Sequence, residues 1–184
     1  LRLELLADDR VADLVTEGID VALRTTVGHS DLVVARELGR FERRLYAAPE
    51  YLEQHGTPAD PSDLQQHHTV THTAQGPAVT WAFRNAQGKP LEVTVRSRLA
   101  ASSSALVHHA LVGGAGIGML SSPLAAADVA QGRLVEVLAP FASRTVHTLY
   151  AVSSPGRRNA ARVKAVIDFL VKASKDRWAL APVR

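Results

Sequence analysis

The chain has 184 residues, 46% of them hydrophobic and 21% charged, which describes a globular protein long enough to bury one core or two small ones. No apolar run is long enough to span a bilayer as a helix, and no basic-then-apolar leader opens the chain. There is no cysteine, which excludes disulfides and thiolate metal sites and suits a cytoplasmic protein, and the net charge of +3 with scattered arginines argues against direct nucleic-acid binding by this piece.

Leu1, Leu3 and Leu5 alternate with Arg2 and Glu4, so Leu1–Ala7 is expected to be a strand, beginning without a methionine as in a fragment whose upstream part is missing. Asp8 and Asp9 are cap candidates for a short helix with Val11, Leu14 and Val15 on one face, closed by Gly18. Ile19, Val21 and Leu23 resume a strand, which makes the start a βαβ unit. Ligands bind such open sheets beyond the carboxyl ends of the strands, here at Ala7-Asp8-Asp9 and at Arg24-Thr25-Thr26.

Val33–Leu38 and Arg44–Ala48 are expected as two short extended segments, followed by a helix over Glu50–His55 after Pro49. Ser62–His67 can add a short helix with Ser62 as its cap. Val70–Thr73, Val79–Phe83 and Leu91–Val95 read as strands, the last two joined by a turn at Asn85–Lys89.

The stretch Ala101–Val129 parses as helix, glycine turn, buried strand and second helix. Ser102, Ser103 and Ser104 stand at a helix start, and Leu106, Val107, Ala110 and Leu111 follow at helical spacing. Gly113 and Gly114 end the helix, Ile117–Leu120 is a buried strand, and Ser121-Ser122-Pro123 opens the next helix. The glycines follow a helix and precede a strand, at the negative end of the helix dipole, so they make an αβ turn and no phosphate cradle. The three serines are either an ordinary cap or, with the free N–H groups of the first turn, a receiver for a carboxylate or other polar ligand. Arg133–Leu138 and Val146–Val152 then read as strands. Asn159 can cap a last helix carrying Val163, Val166, Ile167 and Leu170 on one face, with Lys175–Arg184 as a tail.

Little in the chain speaks for catalysis. His68 and His72 are four apart but lie in a β-prone stretch, and no third metal ligand has fitting spacing, so no metal site is expected. His108 and His109 fall on the polar side of their helix and are expected in solvent. No GxSxG elbow occurs, and Asp8 and Asp9 suit capping better than acid–base work. Trp81 and Phe83 share a strand face that suits core, or the wall of a cavity. No enzyme activity and no cofactor are implied.

Taken together, DRVADLVTEGIDVALR, LVVARELGRFERRLYAAPEYLEQHGTPADPSDL, WAF, RLAASSSALVHHALVGGAGIGMLSSPLAAADVAQGRLVEVL and LYAVSSPGRRNAARVKAVIDFL resemble the effector-binding domain of LysR-type transcriptional regulators over nearly the whole chain. The W-x-F pair resembles the branch that includes the CrgA-like regulators. The resemblance implies an α/β fold of two Rossmann-like lobes joined by two crossing strands, like type 2 periplasmic binding proteins, with the first strand and helix missing here. Lobe I would be 1–45 with 146–184, and lobe II 46–145. A small-molecule effector, often an organic acid or aromatic, would lie in the cleft between lobes. Asp8, Thr25 and Thr26 would reach it from the first lobe, and Ser102, Ser103 and Ser104 from the second, with Thr71 and Thr73 as weaker candidates.

The implied function is effector sensing and oligomerisation, as a homodimer or homotetramer, in a cytoplasmic bacterial regulator. DNA would be met only through a winged helix-turn-helix absent from this chain, and no membrane is involved. A solute-binding protein of a transporter, an enzyme on the same scaffold and a pure dimerisation module are the rival readings.

Overall fold

The computed structural model describes residues 1–7, 9–26, 33–73, 76, 78–85, 87–143, 145–156 and 160–177. The chain divides into two compact units: Leu1–Phe41 with Val146–Arg184, and Glu42–Thr145.

In the first unit, β1 (Ala22–Arg24) pairs antiparallel with β8 (Val146–Ser153), Leu23 opposite Ala151. The order continues to β2 (Val34–Ala47). Leu38, Phe41, Leu149 and Ala151 form the core, and Ile167, Leu170 and Val171 of α4 (Ala161–Arg177) pack on it. That is the apolar stripe of the last helix doing what its spacing predicts. The helix continues through Arg177, where a tail was expected, and Asn159 lies outside the described residues.

Three expectations for the start of the chain are corrected. Leu1–Ala7 is exposed and forms no strand, because among the described residues no neighbouring strand takes up its N–H and C=O groups. The expected helix is a single turn at Leu14–Gly18, capped by Asp13, whose carboxylate accepts from the Val15 and Thr16 amides at 2.8 and 3.0 Å. With no first strand and β1 antiparallel to its neighbour, there is no βαβ unit.

The second unit has strand order β2, β6 (Ile117–Ser121), β3 (Thr69–His72), β5 (Pro90–Ala101) and β4 (Ala78–Arg84), with β7 (Val135–Val137) also on β2. The two extended segments expected at 33–38 and 44–48 are one strand of 14 residues, since Gly39 does not interrupt the pairing. After α1 (Pro49–His55), a 3-10 helix spans Pro61–Gln66, and its cap is Asp60, not Ser62: the Asp60 carboxylate accepts from the Ser62 amide at 2.9 Å. β3 (Thr69–His72) runs parallel to both β5 (Pro90–Ala101) and β6 (Ile117–Ser121). β4 (Ala78–Arg84) and β5 form the hairpin expected around Asn85 and Gly88.

Two layers of side chains cover this sheet. Leu45, Tyr51, Leu64, Trp81, Val95 and Ile117 fill one face. Tyr46, Val70, Leu111, Leu120 and Leu134 fill the other, under α2 (Ser104–Val112) and α3 (Ser122–Ala130). The absence of a Cβ on glycine matters at one place between α2 and β6. Gly116 has φ +149°, and a Cβ there would stand 2.2 Å from the His68 carbonyl oxygen, which accepts the Ile117 amide at 2.8 Å. The glycine-rich turn is therefore what lets β6 lie directly against β3.

Candidate functional site

Strand β2 carries Arg43 and Arg44 in succession, and a strand turns successive side chains to opposite faces. Arg44 pairs with Glu42, two residues back, and with Glu136 of β7 at 3.3 Å. Arg43 points the other way, to the face holding Leu45 and Met119. Among the described residues its guanidinium makes no hydrogen bond or ion pair, and burial pushes it below its ordinary value with no carboxylate to counter the effect.

Arg43 lines a small recess, open to solvent, within the second unit. Thr71 and His72 at the end of β3 and Ser104 at the start of α2 add polar atoms to its wall, while Val70, Trp81, Val107 and Met119 make the apolar part. Thr71 is 2% exposed, and its Oγ1 has no hydrogen-bond partner among the described residues. A buried hydroxyl left unpaired costs free energy of roughly 1–3 kcal/mol unless something else satisfies it. The cavity thus offers one desolvated cation, one orphaned hydroxyl, a helix start and an apolar wall. That combination suits a small amphipathic anion.

The residues named from sequence are distributed as follows. Thr71 and Ser104 line the cavity. Ser103 is the cap of α2, its Oγ accepting from the Leu106 amide at 3.2 Å, so its hydroxyl is committed to the helix. Ser102 and Thr73 are exposed. Thr25 and Thr26 follow β1 in the first unit and are exposed; Asp8 lies outside the described residues. Sequence reasoning missed Arg43, His72 and Met119. Period-two alternation held the signal for Arg43, a cation in register with Leu45 and Ala47, both buried.

Five of the eight histidines fall in two clusters. Tyr51 stacks on His55, its hydroxyl lies 3.0 Å from His67 Nδ1 and accepts the His68 amide at 2.9 Å, and Arg98 contacts the His68 ring. Burial pushes His67 and His68 down, and for His68 the Arg98 charge adds to it. Among the described residues no group of three His, Asp or Glu is placed to hold a metal ion. His108 does not stand in solvent as expected: it is half-buried and pairs with Asp128 across α2 and α3. His109 is exposed.

Two mixed α/β units, one with an amphipathic recess beside a helix start, have the fold of a regulatory domain of the type 2 periplasmic-binding-protein-like class. The LysR substrate binding domain model matches residues 1–175, and the chain belongs to that family. It is 33% identical over 172 residues to the HTH-type transcriptional regulator CrgA of Neisseria meningitidis, covering 94% of this chain and 57% of that protein. It is 33% identical over 170 residues to the HTH-type transcriptional regulator PtxR of Pseudomonas aeruginosa, covering 92% and 54%. The solved regulatory domain of CrgA superposes with a TM-score of 0.78 at 33% identity, over 86% of this chain and 77% of that one. Full-length AphB, the virulence activator of Vibrio cholerae, gives 0.75 at 26%, over 93% and 57%. The chain therefore spans little more than half the length of the curated relatives it matches.

Proposed function

We propose that this chain is the effector-sensing part of a LysR-type transcriptional regulator. A small organic acid or aromatic binds in the cavity of the second unit, against Thr71, Ser104 and Arg43, and no bond of it is made or broken. The two units act as the lobes of the domain. Binding biases the regulator only through a difference in affinity between its conformations. Contact with DNA falls to a winged helix-turn-helix in the portion of the relatives that this chain does not cover, and the regulator works as a cytoplasmic homodimer or homotetramer.

The observation that carries the reading is the cavity, which gathers an unpaired Arg43 and an orphaned Thr71 hydroxyl beside apolar wall. The named relatives support regulation over transport, since they are HTH-type regulators. The test is a thermal-shift screen of the full chain against small organic acids and aromatics. Saturable stabilisation by at least one compound is expected, rising with ligand concentration as mass action requires. A panel that leaves the melting temperature flat at millimolar concentration defeats the reading.

A further inference from the structure

The neighbourhood of Arg43 contains two carboxylates, Glu42 and Glu136, and both are taken by Arg44 on the opposite face of β2. The strand thus separates a satisfied cation from an unsatisfied one at adjacent positions. A partly buried guanidinium without a counter-charge is unfavourable, and an anion delivered to it restores the balance through charge-assisted, bidentate hydrogen bonds. Thr71 supplies an independent sign of the same vacancy in bonding: its hydroxyl is buried, lines the same cavity and has no acceptor or donor among the described residues. The remaining wall, Trp81, Val107 and Met119, is apolar.

We infer that Arg43 is the group that selects the ligand's charge: it holds the carboxylate of a small monocarboxylate with an apolar body, while the Thr71 hydroxyl donates a second hydrogen bond to the same carboxylate. This rests on the proposed reading of the cavity as the effector site. One cation facing one hydroxyl fits a single carboxylate, and the Trp81 and Met119 wall takes the apolar remainder.

Met119 is the sole methionine of the chain and lies in this wall, so a methionine labelled at its methyl carbon gives one resonance that reports occupancy. Benzoate and its neutral counterpart benzamide are the probes, titrated into the full chain. Benzoate is expected to move the Met119 resonance saturably, and benzamide to bind about tenfold more weakly or worse. Arg43→Gln should erase the preference for the acid, and Arg43→Lys should keep part of it, which also guards against a variant that simply fails to fold. Thr71→Val should weaken benzoate by a smaller factor.

Equal binding of benzoate and benzamide to the parent chain, or unaltered benzoate binding to Arg43→Gln, overturns the assignment to Arg43 and leaves the effector site standing. Binding that needs Arg43 but ignores Thr71 moves the carboxylate to another face of Arg43 and also overturns it. If the resonance answers neither to benzoate nor to any other acid but does answer to neutral aromatics, the charge selection is wrong and the cavity is still the site. If no compound of either kind moves it, the effector-site reading falls with it.

Discussion

His108 Nε2 lies 2.7 Å from Asp128 Oδ2, joining the middle of α2 to the end of α3. An ionised carboxylate only accepts, so the imidazole carries its proton on Nε2. The other oxygen of Asp128 accepts from Arg133 Nε at 2.6 Å, and its backbone carbonyl accepts the amides of Arg133 and Leu134. A polar residue that is 5% exposed thereby has all its acceptors engaged.

The Arg133 hydrogen bond, and after it that of His108, holds the Asp128 carboxyl below the usual carboxylate range. A carboxyl whose value is lower in the folded than the unfolded protein stabilises above the unfolded value and loses that contribution as pH falls through the folded one. Asp128→Asn should therefore lower the melting temperature by at least ~3 °C near neutral pH, with the gap from the parent narrowing below about pH 4. Thermal unfolding of both proteins across pH 3–7 checks this; a gap that does not narrow in acid refutes it.

Burial, with Glu136 adding to it, pushes the Tyr46 phenol up to about 12. For an acid raised in the folded state, the neutral form is favoured, so the contribution to stability is complete below about pH 10 and fades as pH climbs toward the folded value. Ultraviolet titration of the parent against Tyr46→Phe should place the missing phenolate step well above the ordinary tyrosine range. A difference spectrum that titrates near pH 10 in the folded protein contradicts this.

Gly116→Ala and Gly118→Ala should both be costly, for different reasons. At Gly116 the φ of +149° and the His68 carbonyl both oppose a side chain; at Gly118 a Cβ would stand 2.7 Å from the Val70 carbonyl. Urea unfolding should show a loss of roughly 2–4 kcal/mol for Gly116→Ala. Gly132→Ala serves as the control for positive φ alone, since nothing lies within 4 Å of a Cβ there.

Two leucines of α2 make a matched pair. Leu111 is wholly buried and Leu106 is 53% exposed. Leu111→Ala should cost about 2–5 kcal/mol in denaturant unfolding, and Leu106→Ala a small fraction of that. Comparable losses at the two positions would contradict the packing of α2 on its Val107 and Leu111 side.

Where local chemistry decides structure, the sequence was readable. Pro49, the serines before α2, Gly114 at φ +76° and Pro123 in the first turn of α3 mark helix ends through their own backbone preferences. The spacing of Val163, Ile167 and Leu170 likewise found the last helix. The start of the chain was misread because alternation records only which side chains could share a face; a strand also requires a neighbour to bond with, and Leu1–Ala7 has none among the described residues. Of the candidate site, Thr71 and Ser104 were named, but the residue with the greatest electrostatic weight was not. Arg43 looks like any surface arginine until the pairing of β2 with β6 and β7 shows that Arg44 takes both acids. His108 was misplaced for a similar reason: helical phase alone does not reveal that Asp128, twenty positions later, is packed against it.

Strand β2 serves two interiors. Phe41 seats in the core of the first unit, and four positions later Leu45 and Tyr46 enter opposite layers of the second. With the pairing of Tyr46 and Ala47 to their neighbours held in place, losing or gaining one residue between Arg43 and Leu45 would aim the cation of Arg43 at the wrong side of the sheet. The stretch from Arg43 to Leu45 therefore has its length set as well as its composition.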